Sequence, residues 1–169
     1  LNSFYERIHT DSSASTLQKK QKGNYFDNFL KLEFDNDKRN QKFQPSEGYR
    51  TFYQTAIPLI SKSNTFSNVI SYSKYNDIFE KNILKSSFYF KSSNSITGDN
   101  IKLSERINIP SSRLRGFEYG KVGPKDGSDY VGGNFVSAIN FSSTLPQFLE
   151  NSQTTVFTIF LDMANVWGV

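Results

Sequence analysis

The chain has 169 residues, enough for one domain, and its net charge of +4 is scattered among acidic residues, so no nucleic-acid partner is expected. Cysteine is absent, which excludes disulfides and thiolate metal sites. Hydrophobic residues are 36% of the chain and aromatics 15%, yet the best apolar run, 156–161, is far shorter than the about 20 residues a membrane helix requires, leaving a soluble β-protein or one that crosses lipid as strands.

In chain order, a weak strand fits residues 4–9. Leu30, Leu32 and Phe34 then alternate with Lys31, Glu33 and Asp35, a period of two with one greasy face. Turn chemistry follows at 36–40 and 45–48, a further strand at 49–58, a turn at 61–65 and a strand at 66–75. Leu84, Ser86, Phe88 and Phe90 alternate with Lys85, Ser87, Tyr89 and Lys91. Residues 95–134 form a long segment rich in Gly, Pro, Ser and Asp, a length that is functional or disordered in a compact domain. A strand fits 135–141 and a turn 146–153. Phe157, Ile159, Leu161 and Met163 then alternate with Thr158, Phe160 and Asp162. No segment has a helical period.

This amounts to about seven strands of roughly 9–11 residues, long enough to cross a bilayer when tilted. Seven such strands cannot close a wide barrel, and open edges are not tolerated in lipid. A barrel reading therefore makes the chain part of a longer one, with Leu1 and Val169 interior to it. Periodicity alone fits a soluble antiparallel sandwich equally well.

Three motifs separate the two. The long segment carries Arg113-Leu114-Arg115-Gly116-Phe117, then Val122-Gly123-Pro124, then Asp129-Tyr130-Val131-Gly132-Gly133-Asn134. Upstream stands Asp37-Lys38-Arg39-Asn40, followed by Phe43, Pro45 and Gly48; downstream stands Phe160-Leu161-Asp162-Met163-Ala164. In order and separation they resemble the BamA-like barrel assembly proteins of the bacterial surface antigen superfamily. These have an Asp-x-Arg-Asn…Phe-x-Pro turn, a sixth extracellular loop with an Arg-Gly-Phe core, and an aspartate-bearing strand after it. The resemblance spans residues 24–169.

It implies an all-β fold: part of an antiparallel transmembrane barrel of sixteen strands, with N-terminal periplasmic repeats and the final strands outside this chain. In such proteins the long loop folds back into the barrel and its arginine pairs with the later aspartate, which carried over joins Arg115 to Asp162. Strand parity supports this. Asp162 shares a face with Thr158, opposite Phe157, Ile159 and Leu161; lipid must take the apolar face, so Asp162 points into the lumen. Gly116 would permit the tight turn at the tip, and Phe117 would anchor the tip by packing.

The sequence departs from the family at Ser142, where a second carboxylate for the arginine is common, and at Leu114, Ala164 and Ile109-Pro110. Tyr25, Tyr49, Phe52, Tyr75 and Trp167 suit an interfacial aromatic girdle or ordinary strand composition. His9 is the only histidine, so no Ser-His-Asp triad or histidine metal cluster is available. Asp126 and Asp129 beside Gly127 lack the spacing of a calcium loop, and the glycines lack the ending of a phosphate loop.

The expectation is a protein without enzymatic activity, cofactor or metal that inserts and folds β-barrel proteins in the outer membrane of a bacterium. Its partners would be unfolded outer-membrane clients, membrane lipids and accessory lipoproteins. The nearest alternative is a two-partner-type secretion transporter of the same superfamily; a passive porin is a more distant one.

Overall fold

A computed structural model describes residues 1–61, 64–79, 82–98, 100–145 and 156–169. The elements are β1 (Asn2–Ile8), α1 (Thr16–Lys20), β2 (Gly23–Asp37), β3 (Gly48–Ile60), β4 (Thr65–Phe79), β5 (Asn82–Ser95), the short β6 (Lys125–Asp126) and β7 (Asp129–Tyr130), β8 (Phe135–Thr144) and β9 (Thr158–Trp167). One antiparallel sheet of seven strands runs in the order β1-β2-β3-β4-β5-β8-β9 and does not close on itself. Each long strand thus pairs with its neighbours in sequence, and β5 pairs with β8 across the long loop. The turn read at 146–153 lies outside the described residues, as does part of that at 61–65.

Alternation becomes two chemically opposite faces because register partners lie on the same side of a sheet. One register row of the outer face is Phe34, Tyr53, Ile70 and Phe90; another is Tyr72, Phe88, Ile139 and Met163. Most of these large apolar side chains are exposed. The inner face carries the row Asp37, Arg50, Ser73, Ser87, Asn140 and Asp162, an unbroken polar line across the sheet. A soluble sandwich would bury the apolar face; here it is a bare band of the kind lipid covers.

The buried apolar cluster lies on the other side, where the loop packs on the sheet. Ile107, Ile109 and Leu114 of the loop meet Val136 of β8 and Val166 of β9, with Tyr89, Val122 and Ala164 at its margin. Loop and wall are therefore one folded unit.

Two expectations change. Of the five aromatics that suit either a girdle or ordinary strand composition, register puts Tyr49 and Trp167 on the outer face, where Trp167 stacks on Phe135 at 5.7 Å. Tyr25, Phe52 and Tyr75 face inward, because each shares parity with polar residues of its own strand. Helix α1 was not expected. Its Ser15 side chain accepts from the Gln18 N–H while Gln18 accepts from the Ser15 N–H, a reciprocal cap that stabilises a helix too short to show an apolar period.

Candidate functional site

The loop between β5 and β8 runs over the inner face, and its tip is fixed to β9. After a 3-10 turn at Ser111–Arg113, Leu114 leaves the turn with φ of -145° and ψ of 78° and is buried, and Gly116 follows with φ of 84°. Between them Arg115 meets the Asp162 carboxylate three times: its backbone N–H donates at 3.0 Å, Nε at 2.7 Å and Nη2 at 2.7 Å. The two guanidinium contacts reach different oxygens, a two-pronged grip that fixes direction as well as distance. The guanidinium also lies 3.7 Å from the ring centroid of Phe160 on the same strand face. The Asp162 side chain is 3% exposed and that of Arg115 is 35% exposed. The hydrogen-bonded carboxylate raises the guanidinium pKa above its ordinary value.

A second partner comes from Asn140, a residue the sequence reading passed over. Its Nδ2 donates to Asp162 Oδ1 at 2.9 Å and to the Arg113 carbonyl at 2.7 Å. This amide stands beside the place where a second carboxylate was sought; Ser142 lies one inward position along β8, opposite Phe160. Arg113 turns the other way, donating to Ser71 and Ser87 at 3.1 and 3.2 Å and lying over the Tyr89 ring. Burial lowers its pKa.

Phe117 does not do what was expected of it. It is 61% exposed, so the tip is anchored by buried Leu114 and by Arg115 instead. The chain turns through left-handed backbone at Gly116, directly after the Arg115 contact, and Phe117 follows exposed.

The rest of the motif ties the returning limb. At Gly123, φ is 122° and a Cβ would sit 2.8 Å from the Val166 Cβ. The Pro124 carbonyl accepts from the Val131 N–H at 3.1 Å, closing the small β6–β7 hairpin in which Asp129 is exposed and pairs in register with Asp126. Gly132 has φ of 69°, and Gly133 bridges Ile107 in both directions. A Cβ at Gly133 would come within 2.6 Å of the Trp167 carbonyl oxygen, so only glycine lets the three segments meet. Asn134 donates its N–H to the Trp167 and Gly168 carbonyls and accepts from the Ser93 N–H, joining loop, β5 and β9.

A second fixed point was invisible in the motifs. Lys102, near the start of the loop, places its ammonium on Asp27 of β2, with side chains 4% and 1% exposed. Glu105 at 3.4 Å and Glu6 at 3.9 Å complete its acidic surroundings, and the Tyr25 ring lies 4.7 Å beneath. Gln21 reinforces the contact, donating to the Ile101 carbonyl at 3.0 Å and accepting from the Leu103 N–H at 2.6 Å. Asp27 shares inward parity with Lys31 and Asp35, the signal that could have identified it.

The turn motif proves to be a clasp at the far end of β2 and β3. Arg39 grips Asp37 through Nε at 2.8 Å and Nη2 at 2.6 Å, and this pairing raises the arginine's pKa. Asn40 accepts from the Ser46 and Glu47 N–H groups and donates to the Ser46 hydroxyl. Pro45 lies within the span so closed, and Gly48 has φ of 92°, where a Cβ would strike the Lys38 carbonyl oxygen at 2.2 Å. Phe43 is exposed and takes no part. The clasp and the Arg115–Asp162 pair do not touch, although Asp37 and Asp162 lie on the same register row.

Comparison with known proteins bears on the family and the fold. The family described as the Omp85 superfamily domain matches residues 2–169. Among solved structures, the chain is similar to BamA from Haemophilus ducreyi lacking POTRA domains 1-3, at 19% sequence identity and a TM-score of 0.78. The match covers 88% of this chain and 31% of that one, so the chain spans about a third of its length. No curated protein sequence matches.

Proposed function

The chain belongs to the Omp85 superfamily, and from that premise we propose that it is part of an outer-membrane barrel that inserts and folds other β-barrel proteins in the outer membrane of a bacterium. The observation that carries the reading is a loop fixed to the inner face by a two-pronged Arg115–Asp162 pair. A pore that only passes solutes has no need of a charge-locked plug across its wall. A machine whose wall must open has such a need, because the loop keeps the remaining sheet in shape while edges separate. Insertion itself needs an unpaired strand edge offering main-chain hydrogen bonds to an incoming strand. In this reading the residues named here support the machine and do not template the client. Clients would be unfolded outer-membrane polypeptides, the lipids their destination, and accessory lipoproteins the delivery partners; no cofactor is required by strand addition.

The test is reconstitution of the full-length protein in lipid vesicles with a urea-denatured barrel client, following the heat-modifiable folded form on a gel. Faster client folding than in empty vesicles, reduced by Arg115→Ala, is expected. Vesicles that fold no client but take up a dedicated soluble polypeptide would transfer the chain to the secretion branch of the superfamily.

A further inference from the structure

We infer that the first limb of the long loop, residues 101–109, is a strap with a built-in release point, and that Arg106 supplies it. Polar contacts tie this limb to the wall. Lys102 sits on Asp27 of β2, the Ser104 hydroxyl donates to Glu6 of β1 at 2.7 Å, and Glu105 accepts from the Thr65 hydroxyl of β4 at 2.6 Å. The Leu103 N–H donates to Gln21, just ahead of β2, at 2.6 Å. Ile107 exchanges two backbone hydrogen bonds with Gly133 of the returning limb, at 2.8 and 3.0 Å. Every one of these favours the docked limb.

Arg106 stands among these contacts and opposes them. It is 8% exposed, and its Nε and Nη1 are buried with no hydrogen-bond partner among the described residues. The returning limb crowds it, since a Cβ at Gly132 would come 3.3 Å from the Arg106 Cβ. Asp126 of β6 is close enough to act on the guanidinium electrostatically, yet leaves those two donors unused. Lys102, on the same limb, shows the contrast of a buried cation that is satisfied, with the carboxylates of Asp27, Glu105 and Glu6 around it. A guanidinium that gives up water without gaining partners for its N–H groups costs free energy only while the limb is docked. When the limb lifts, those donors meet water, and the regained hydration offsets part of what the tying contacts lose. Such a misfit holds one segment near its opening threshold while its surroundings stay rigid. The Arg115–Asp162 pair is on β9, near the other end of the described sheet, and gains nothing from the release. The limb therefore lifts while the tip stays held. This inference does not depend on whether the barrel assembles or secretes proteins.

The experiment is hydrogen exchange read by mass spectrometry on the full-length protein in detergent, comparing wild type, Arg106→Met and Lys102→Met. The reporters are the amides of Leu103, Glu105, Arg106 and Ile107, all hydrogen-bonded in the docked limb. Arg106→Met replaces the charge by an apolar chain of similar length and should slow exchange there roughly tenfold or more, the scale of buried donors left unmade. Lys102→Met should speed it, so two cations of one limb move one signal in opposite directions. A peptide from β9 should be unchanged by Arg106→Met. Three results would overturn the proposal: exchange at 101–109 unchanged or faster in Arg106→Met, slowing spread evenly over the whole sheet, or an Arg106→Met chain that does not fold. A group that opposes docking cannot be needed for it.

Discussion

Replacing Arg115 by alanine removes three of the contacts that make the Asp162 carboxylate tolerable at 3% exposure: two outright and the backbone contact by loosening the tip. Asn140 alone then faces it. Breaking a buried pair from one side costs about 3–5 kcal/mol. The Arg115 side chain is 35% exposed, so water screens part of the pair, and a smaller loss of about 2–3 kcal/mol is the expectation. Asp162→Asn keeps the shape but lets the half-exposed guanidinium return to water, and should cost about 1–2 kcal/mol. Were the two side chains independent, the double variant would lose the sum; as one unit it should lose about 1–2 kcal/mol less. Equilibrium urea unfolding of the full-length protein in detergent, read by circular dichroism, measures all four corners. Single losses that add to within about 0.5 kcal/mol would refute the coupling.

Four more outcomes follow from the same geometry. Arg115→Lys keeps the charge but loses the fork and the flat contact with Phe160, so its unfolding midpoint should fall between wild type and Arg115→Ala. Lys102→Met removes the cation from Asp27, which is 1% exposed and keeps the Ser61 hydroxyl at 2.6 Å, and should cost about 3–5 kcal/mol, while Lys102→Met with Asp27→Leu recovers most of that; limited proteolysis of the loop reads the release. Gly133→Ala, whose Cβ meets the Trp167 carbonyl, should destabilise by more than Gly116→Ala, which meets nothing and bears only the roughly 1–2 kcal/mol of left-handed backbone. Phe117→Ala should shift the same urea midpoint by less than about 0.5 kcal/mol, as for other exposed positions.

Much of this fold was legible because a wall with lipid on one side and water on the other writes both solvents into a period of two. Leu30, Leu32 and Phe34 stand outward and Lys31, Glu33 and Asp35 inward as their order implies, and Asp162 falls on the Thr158 face. The Arg115–Asp162 contact followed from a motif and parity together. The Lys102–Asp27 contact did not: Lys102 sits in no motif and its partner is 75 positions away. Parity offered half of it, since Asp27 is an inward carboxylate by the reasoning that placed Asp162. The inward Tyr25, Phe52 and Tyr75 stay undivided from the outward Tyr49 and Trp167 as long as an aromatic is read by its type and not by its position. Phe117 was misjudged because a loop tip has no period to consult, and the sign of φ at Gly116 decides which way the next side chain points.

The two fixed points explain why the loop is held by charge. A barrel wall of this kind spends its large apolar residues outward, as the exposed rows through Phe34 and Phe88 do, so the hydrophobic effect has little left with which to bind the inner face. The inward apolar cluster is small and confined to β8, β9 and the loop's middle. What remains is polar pairing, and burial makes it directional: Lys102 on Asp27 at β2, and Arg115 on Asp162 at β9. These strands lie near opposite ends of the described sheet, separated by β3, β4, β5 and β8. A segment tied at both ends resists flattening and curling of the strands between, which a single tether at either end does not. Loss of one lock should therefore loosen its own end of the sheet first, and hydrogen exchange resolved by strand should separate Lys102→Met, opening β1 and β2, from Arg115→Ala, opening β8 and β9.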